Sequence, residues 1–244
     1  VNRGLVEAVA AGGHTSVSVL ADGPVVEQGL VALDPDADVG LHADLYGPGT
    51  LGAWLVRTGF GLRADDVEQR VSDQLAALRR SGRRPTHADT HRHAYFLPWL
   101  RRRFVRALSA GGIPAVRSLR PLGPLGTEGT VEAGKRLILL AAATLSAGVG
   151  RARGVREPDG FVSAAEAAGW VAAGRLPAFA RGRTIEVVAH PVRGADDLPT
   201  HEAGTLDRDA ESRAVFDPPL AAALEGLGAE VVGYGAWIDQ GRHG

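Results

Sequence analysis

Nine residues, Pro85 to His93, concentrate the side chains able to do chemistry. His87, Asp89, His91 and His93 fall within seven positions of a 244-residue chain that has 8 histidines in all. Neutral imidazole and carboxylate are natural ligands of divalent metals such as Zn²⁺. If the surrounding segment is a strand, residues two apart share a face, so His91 and His93 could reach one centre. If the strand ends at Thr90, that geometry fails and only one of them ligates. Asp89 supplies the carboxylate that commonly orients a metal-bound imidazole. His42 and His190 each follow a β-like run, Gly40-Leu41-His42 and Val188-Ala189-His190. Parallel α/β folds gather their chemistry at the carboxyl ends of strands. His42, His91 and His190 are therefore expected to converge from three strand ends. A structural role for His190 remains open. His87 lies inside its strand and is expected to pack. Arg117, after a short strand, either contacts substrate or makes a structural ion pair. His14, His201 and His243 have no supporting context.

Other features point elsewhere than chemistry. Asp65-Asp66 opens an amphipathic helix, where acidic residues suit the helix dipole. Asp196-Asp197 sits in a polar stretch, and Arg101-Arg102-Arg103 reads as a solvated helix face. No Gly-x-Ser-x-Gly elbow occurs, which argues against a serine hydrolase. No phosphate-binding glycine loop occurs either. Cysteine is absent, so disulfides and thiolate ligation are excluded, and any metal must use His, Asp or Glu. The net charge of −1 gives no footprint for a nucleic-acid partner. The longest apolar run, Leu137 to Leu145, follows Lys135-Arg136 and is too short to cross a bilayer, so no membrane partner is expected. With no secretory signal visible, the expected location is cytoplasmic. Homo-oligomerisation is left open.

The elements that must position these residues alternate between β-like and helical runs, which predicts an α/β fold with a largely parallel sheet. Helices are expected over Asn2–Ala11, Asp65–Arg80, Leu97–Ala110, Val131–Ala147 and Ser163–Ala173, and over most of Arg208–Leu227. In the second of these, Val67, Val71, Leu75 and Leu78 form the apolar stripe. Strands are expected over His14–Ala21, Val39–Leu45, Thr86–Thr90, Ala115–Ser118, Thr184–Ala189 (a buried one) and Ala229–Trp237. No internal repeat or linker is visible, so residues 1–244 read as one domain.

With these segments in place, the chain resembles the YdjC-like (ChbG/HpnK) carbohydrate deacetylases. Arg84-Pro85-Thr86-His87-Ala88-Asp89-Thr90-His91-Arg92-His93 is similar to the family's Pro-Thr-His-x-Asp-Ser-His-x-His signature. Val39-Gly40-Leu41-His42 is similar to its Gly-Leu-His segment, and Glu186 to Pro191 to its late His-Pro strand. Val1-Asn2-Arg3-Gly4 and Thr15-Ser16-Val17-Ser18 resemble its first helix and second strand. The similarity runs in order from Val1 to about Trp237. It implies a distorted (β/α) barrel of the polysaccharide-deacetylase type. It also implies removal of an N-acetyl group from an amino sugar or N-acetylated glycan. One divalent metal ion, Mg²⁺ or Zn²⁺, would be held by one Asp and two His, and His42 and His91 match the imidazole ligands. On this reading His190 and Asp89 are the catalytic candidates, and Arg117 and His93 the substrate-binding ones. The family's opening strand ends in Asp-Asp-Phe-Gly, which supplies the third ligand and a base. No such segment occurs here, so the chain is expected to be an amino-terminally truncated member lacking its first strand, with its own activity in question. Two rivals remain. One is an amidohydrolase or PHP-like metal hydrolase, suggested by the His-x-His pair. The other is a non-catalytic sugar-binding relic.

Overall fold

The computed structural model describes residues 16–21, 30–45, 64–90, 95–123, 130–191, 212–213, 215 and 219–241. Contacts divide the chain into two compact units, 18–23 with 39–158, and 1–17 with 24–38 and 159–244. The expected helix over Asn2–Ala11 lies outside the described residues, as do His14, His91, His93, His201 and His243.

Four strands line up in sheet order β1 (Ser16–Val19), β2 (Asp38–Ala43), β3 (His87–Thr90) and β4 (Ala115–Val116), all in the unit built on 39–158 save Ser16, Val17 and Asp38, which fall in the other unit with 159–244. β2, β3 and β4 run parallel. Parallel neighbours need a crossover. The first is helix α1 (Ala64–Arg80) and the second helix α2 (Pro98–Ala110). The α1 stripe of Val67, Val71, Leu75 and Leu78 is fully buried, and α1 packs on α2, whose Leu100, Phe104, Val105 and Leu108 are buried too. Each such side chain contributes about 1.5–3 kcal/mol on leaving water. Pro98 stands in the first turn of α2, where its missing N–H costs nothing. The helix stops at Gly111-Gly112, with Gly112 at φ 68°. A third helix, α3 (Thr130–Leu145), buries Arg136 and Ala142 and leaves Leu137, Ile138 and Leu145 exposed.

The other unit pairs β5 (Gly160–Ser163) with β6 (Ile185–Val188) in parallel. Helix α4 (Ala164–Ala172) follows β5 at once. Ser163 caps it through a reciprocal capping box with Glu166. Helices α5 (Leu220–Gly226) and α6 (Tyr234–Gln240) complete the described part. Two expectations are corrected here. The segment around Thr184–Ala189 does form a strand, but a half-exposed one: among the described residues β6 has only β5 beside it, and Val187 is exposed. The expected strand over Ala229–Trp237 is instead irregular chain leading into helix α6. The start of α6 is satisfied from far away in sequence, because the Tyr234 N–H donates to Ser16 Oγ (2.9 Å) and the Gly235 N–H to Asp38 Oδ2 (2.9 Å). Those are first-turn donors that a helix cannot satisfy itself. A β-carbon at Gly235 would lie 2.5 Å from Asp38 Oδ1, so only glycine admits the carboxylate.

Candidate active site

The site grows out of the β2–β3 register. Leu41 pairs with Ala88, His42 with Asp89 and Ala43 with Thr90. Gly40 and His42 point to one face of their strand, as His87 and Asp89 do on theirs. Two layers result. The deeper layer holds Gly40 and His87, and the layer nearer the strand ends holds His42 and Asp89. Arg117 continues β4 by one residue, its N–H bonding to Ala88 O at 3.0 Å, and so joins Asp89 in the second layer.

His42 Nδ1 lies 2.8 Å from Asp89 Oδ1, and the Arg117 guanidinium pairs with Asp89 Oδ2. The Asp89 side chain is only 2% exposed, against 20% for His42 and 12% for Arg117. Burial alone would raise the pKa of Asp89. Arg117, His42 and His87 together outweigh it and hold the carboxyl well below the usual carboxylate range. An ionised Asp89 only accepts hydrogen bonds. The Nδ1 of His42 must then carry the proton, which leaves the lone pair of the neutral ring on Nε2. That is the tautomer by which a carboxylate-oriented histidine ligates a metal.

Beneath this pair, the buried His87 ring has Nδ1 2.9 Å from Thr86 Oγ1 and Nε2 3.2 Å from Ser18 Oγ. Burial is the main cause that lowers its pKa to about 4, with Asp89 opposing and Arg117 reinforcing the shift. At neutral pH the ring is therefore uncharged. A β-carbon on Gly40 would sit 2.4 Å from His87 Nε2. The glycine of Gly-Leu-His is thus the space into which His87 packs.

Of the sequence-derived site residues, the structure brings His42, Asp89 and Arg117 together. His190 is exposed just after β6 in the other unit. His91 and His93 lie outside the described residues. Among the described residues, no group of three or more His, Asp or Glu forms a metal cluster. Two surface notches, of about 430 Å³ around Arg79, Arg83 and Arg84 and about 470 Å³ around Trp170 and Leu176, contain none of these residues. Sequence reading passed over Tyr95. Its hydroxyl donates to Arg117 O (3.0 Å) and its N–H points at Thr90 Oγ1 (3.4 Å). An aromatic residue in an apolar stretch gives no signal of such a role.

Residues 1–226 match the family described as YdjC-like protein. The carbohydrate deacetylase of Homo sapiens is 30% identical, covering 94% of this chain and 84% of that protein. The carbohydrate deacetylase of Mus musculus is 29% identical, covering 92% and 77%. A solved structure from Enterococcus faecalis V583, provisionally described as a cellobiose-phosphate cleavage protein, superposes with a TM-score of 0.65 at 16% identity, over 96% of this chain and 92% of that one. That likeness bears on the fold and agrees with the expected α/β class of the distorted-barrel type. On the match over residues 1–226, the chain belongs to the YdjC-like protein family.

Proposed function

We propose that this protein is a metal-dependent carbohydrate N-deacetylase, which hydrolyses the acetamide of an N-acetylated amino sugar or glycan. The observation that carries the reading is the Arg117–Asp89–His42 chain at the ends of parallel strands. It fixes one imidazole in the tautomer a metal ligand needs, in a family whose human and mouse relatives are named carbohydrate deacetylases.

The donor set suits Mg²⁺ or Zn²⁺. His42 would bind through Nε2, and His91, directly after β3, would be the second imidazole. The roles given to these residues are ligation, orientation and contact with substrate. When bound, a divalent ion supplies Lewis-acid polarisation of the acetamide carbonyl and acidifies water. Asp89 keeps Nδ1 of His42 protonated, and Arg117 holds Asp89 ionised and in place. This commitment of Arg117 favours an orienting role over direct contact with substrate. His93 is the substrate-contacting candidate. Hydrolysis consumes one water and splits the acetamide C–N bond, so that acetate and the amine are the products.

Calorimetric titration with Zn²⁺ tests the ligand assignment. We expect about one metal per chain in the protein that releases acetate, and none after His42→Ala. Undiminished binding by the His42→Ala protein would refute the assignment.

A further inference from the structure

We propose that Tyr95 is a positioning residue for His42, acting through the main chain of Arg117; this rests on the reading of His42 as a ligand. Tyr95 is completely buried. Its ring has a packing task, stacked on Phe104 with centroids 5.4 Å apart and beneath the Arg101 guanidinium carbon at 5.0 Å. Phenylalanine would perform that task without burying a hydroxyl, which costs free energy unless it is bonded. The hydroxyl is spent on the carbonyl of Arg117.

That bond has a consequence for the site. The Arg117 peptide is held on both sides, its N–H by Ala88 O of β3 and its carbonyl by Tyr95. With the main chain pinned, the guanidinium is delivered to Asp89 Oδ2, and Asp89 Oδ1 to His42 Nδ1. Tyr95 also reaches back to Thr90 Oγ1 through its N–H. Residues 90 and 95 are thereby tied together, and they bracket the segment of sequence that carries His91 and His93. The buried Tyr95 side chain thus braces the support of the candidate ligand His42.

The hydroxyl and the ring are separable by mutation. Tyr95→Phe removes only the hydroxyl, whereas Phe104→Leu disturbs the ring packing and spares it. The readout is solvent exchange of the His42 Nδ1 proton, followed by histidine-selective NMR, which needs neither metal nor turnover. In Tyr95→Phe we expect exchange to quicken by about three- to tenfold, the factor that loss of one neutral hydrogen bond carries. In Phe104→Leu we expect lower thermal stability with exchange unchanged. Equal exchange in Tyr95→Phe and the parent protein would overturn the proposal. So would equal quickening in both variants, or a Tyr95→Phe chain that does not fold, since the hydroxyl would then serve the core. The parent protein's acetate release separates this from the functional reading. Release with unmoved exchange sinks the positioning role alone. Quickened exchange in a protein that releases no acetate even when loaded with metal upholds the positioning and sinks the deacetylase.

Discussion

At the scale of single residues, two buried titratable groups sit in adjacent layers with opposite charge states. Asp89 is ionised because Arg117 and His42 flank it, and His87 is neutral because burial excludes its charge. Replacing Asp89 with Asn removes the charge that anchors both partners. Metal affinity should fall about 10–100-fold, as when other carboxylates behind ligating histidines are lost. Stability should fall as well, by roughly 3 kcal/mol, because the largely buried Asp89–Arg117 ion pair is broken. Calorimetry and denaturant titration read the two effects separately, and unchanged metal affinity would remove Asp89 from the site. For His87 the sign follows from its two states. The unfolded chain takes up the proton near pH 6.5 and the folded chain only near pH 4. Between those values the unfolded state holds the extra proton, so stability declines as pH falls through the window, by on the order of 3 kcal/mol in all. His87→Gln should flatten that part of the pH–stability curve. The same slope in both proteins would contradict the assignment.

At the scale of elements, the site depends on register. A one-residue slip of β2 against β3 would turn His42 away from Asp89. The deeper layer locks this register, since His87 fits only opposite a residue without a β-carbon. Gly40→Ala should therefore cost about 1–3 kcal/mol, the usual cost of overpacking a core. His87→Ala in the same chain should recover part of that loss, as residues in contact do. Additive losses in denaturant titrations would show that the two side chains do not meet. The same elements mark how far the sequence could be read. The α1 stripe was plain in its 3.6-residue period, and the strand end bearing His42 was plain in the apolar run before it, whereas Asp89 was found through the histidines around it. The Arg117 ion pair was left as one of two alternatives, because the pairing depends on β4 lying beside β3. Helix α6 was illegible. Val231-Val232 suggests a strand, whereas the helix start is satisfied by Ser16 and Asp38, about two hundred residues away. β5 was missed since a four-residue Gly-Phe-Val-Ser run has no periodicity of its own. Only its pairing with β6 defines it.

At the scale of the whole molecule, family membership over residues 1–226 and the parallel-sheet class agree with the motifs that first suggested them. No helix among the described residues is long and apolar enough to cross a membrane. The absence of cysteine leaves histidine and carboxylate as the only strong ligands. The central claim is thus chemical, that the His42–Asp89–Arg117 chain supports metal-dependent removal of an acetyl group. The measurement that tests it most directly is acetate release from N-acetylglucosamine oligomers. It should be made before chelation, after it, and after metal is restored. The account predicts release that stops on chelation, returns with Mg²⁺ or Zn²⁺, and is abolished by His42→Ala. Release that persists in a metal-free protein would contradict the metal role. A metal-loaded protein that frees no acetate from any N-acetylated sugar would contradict the deacetylase itself.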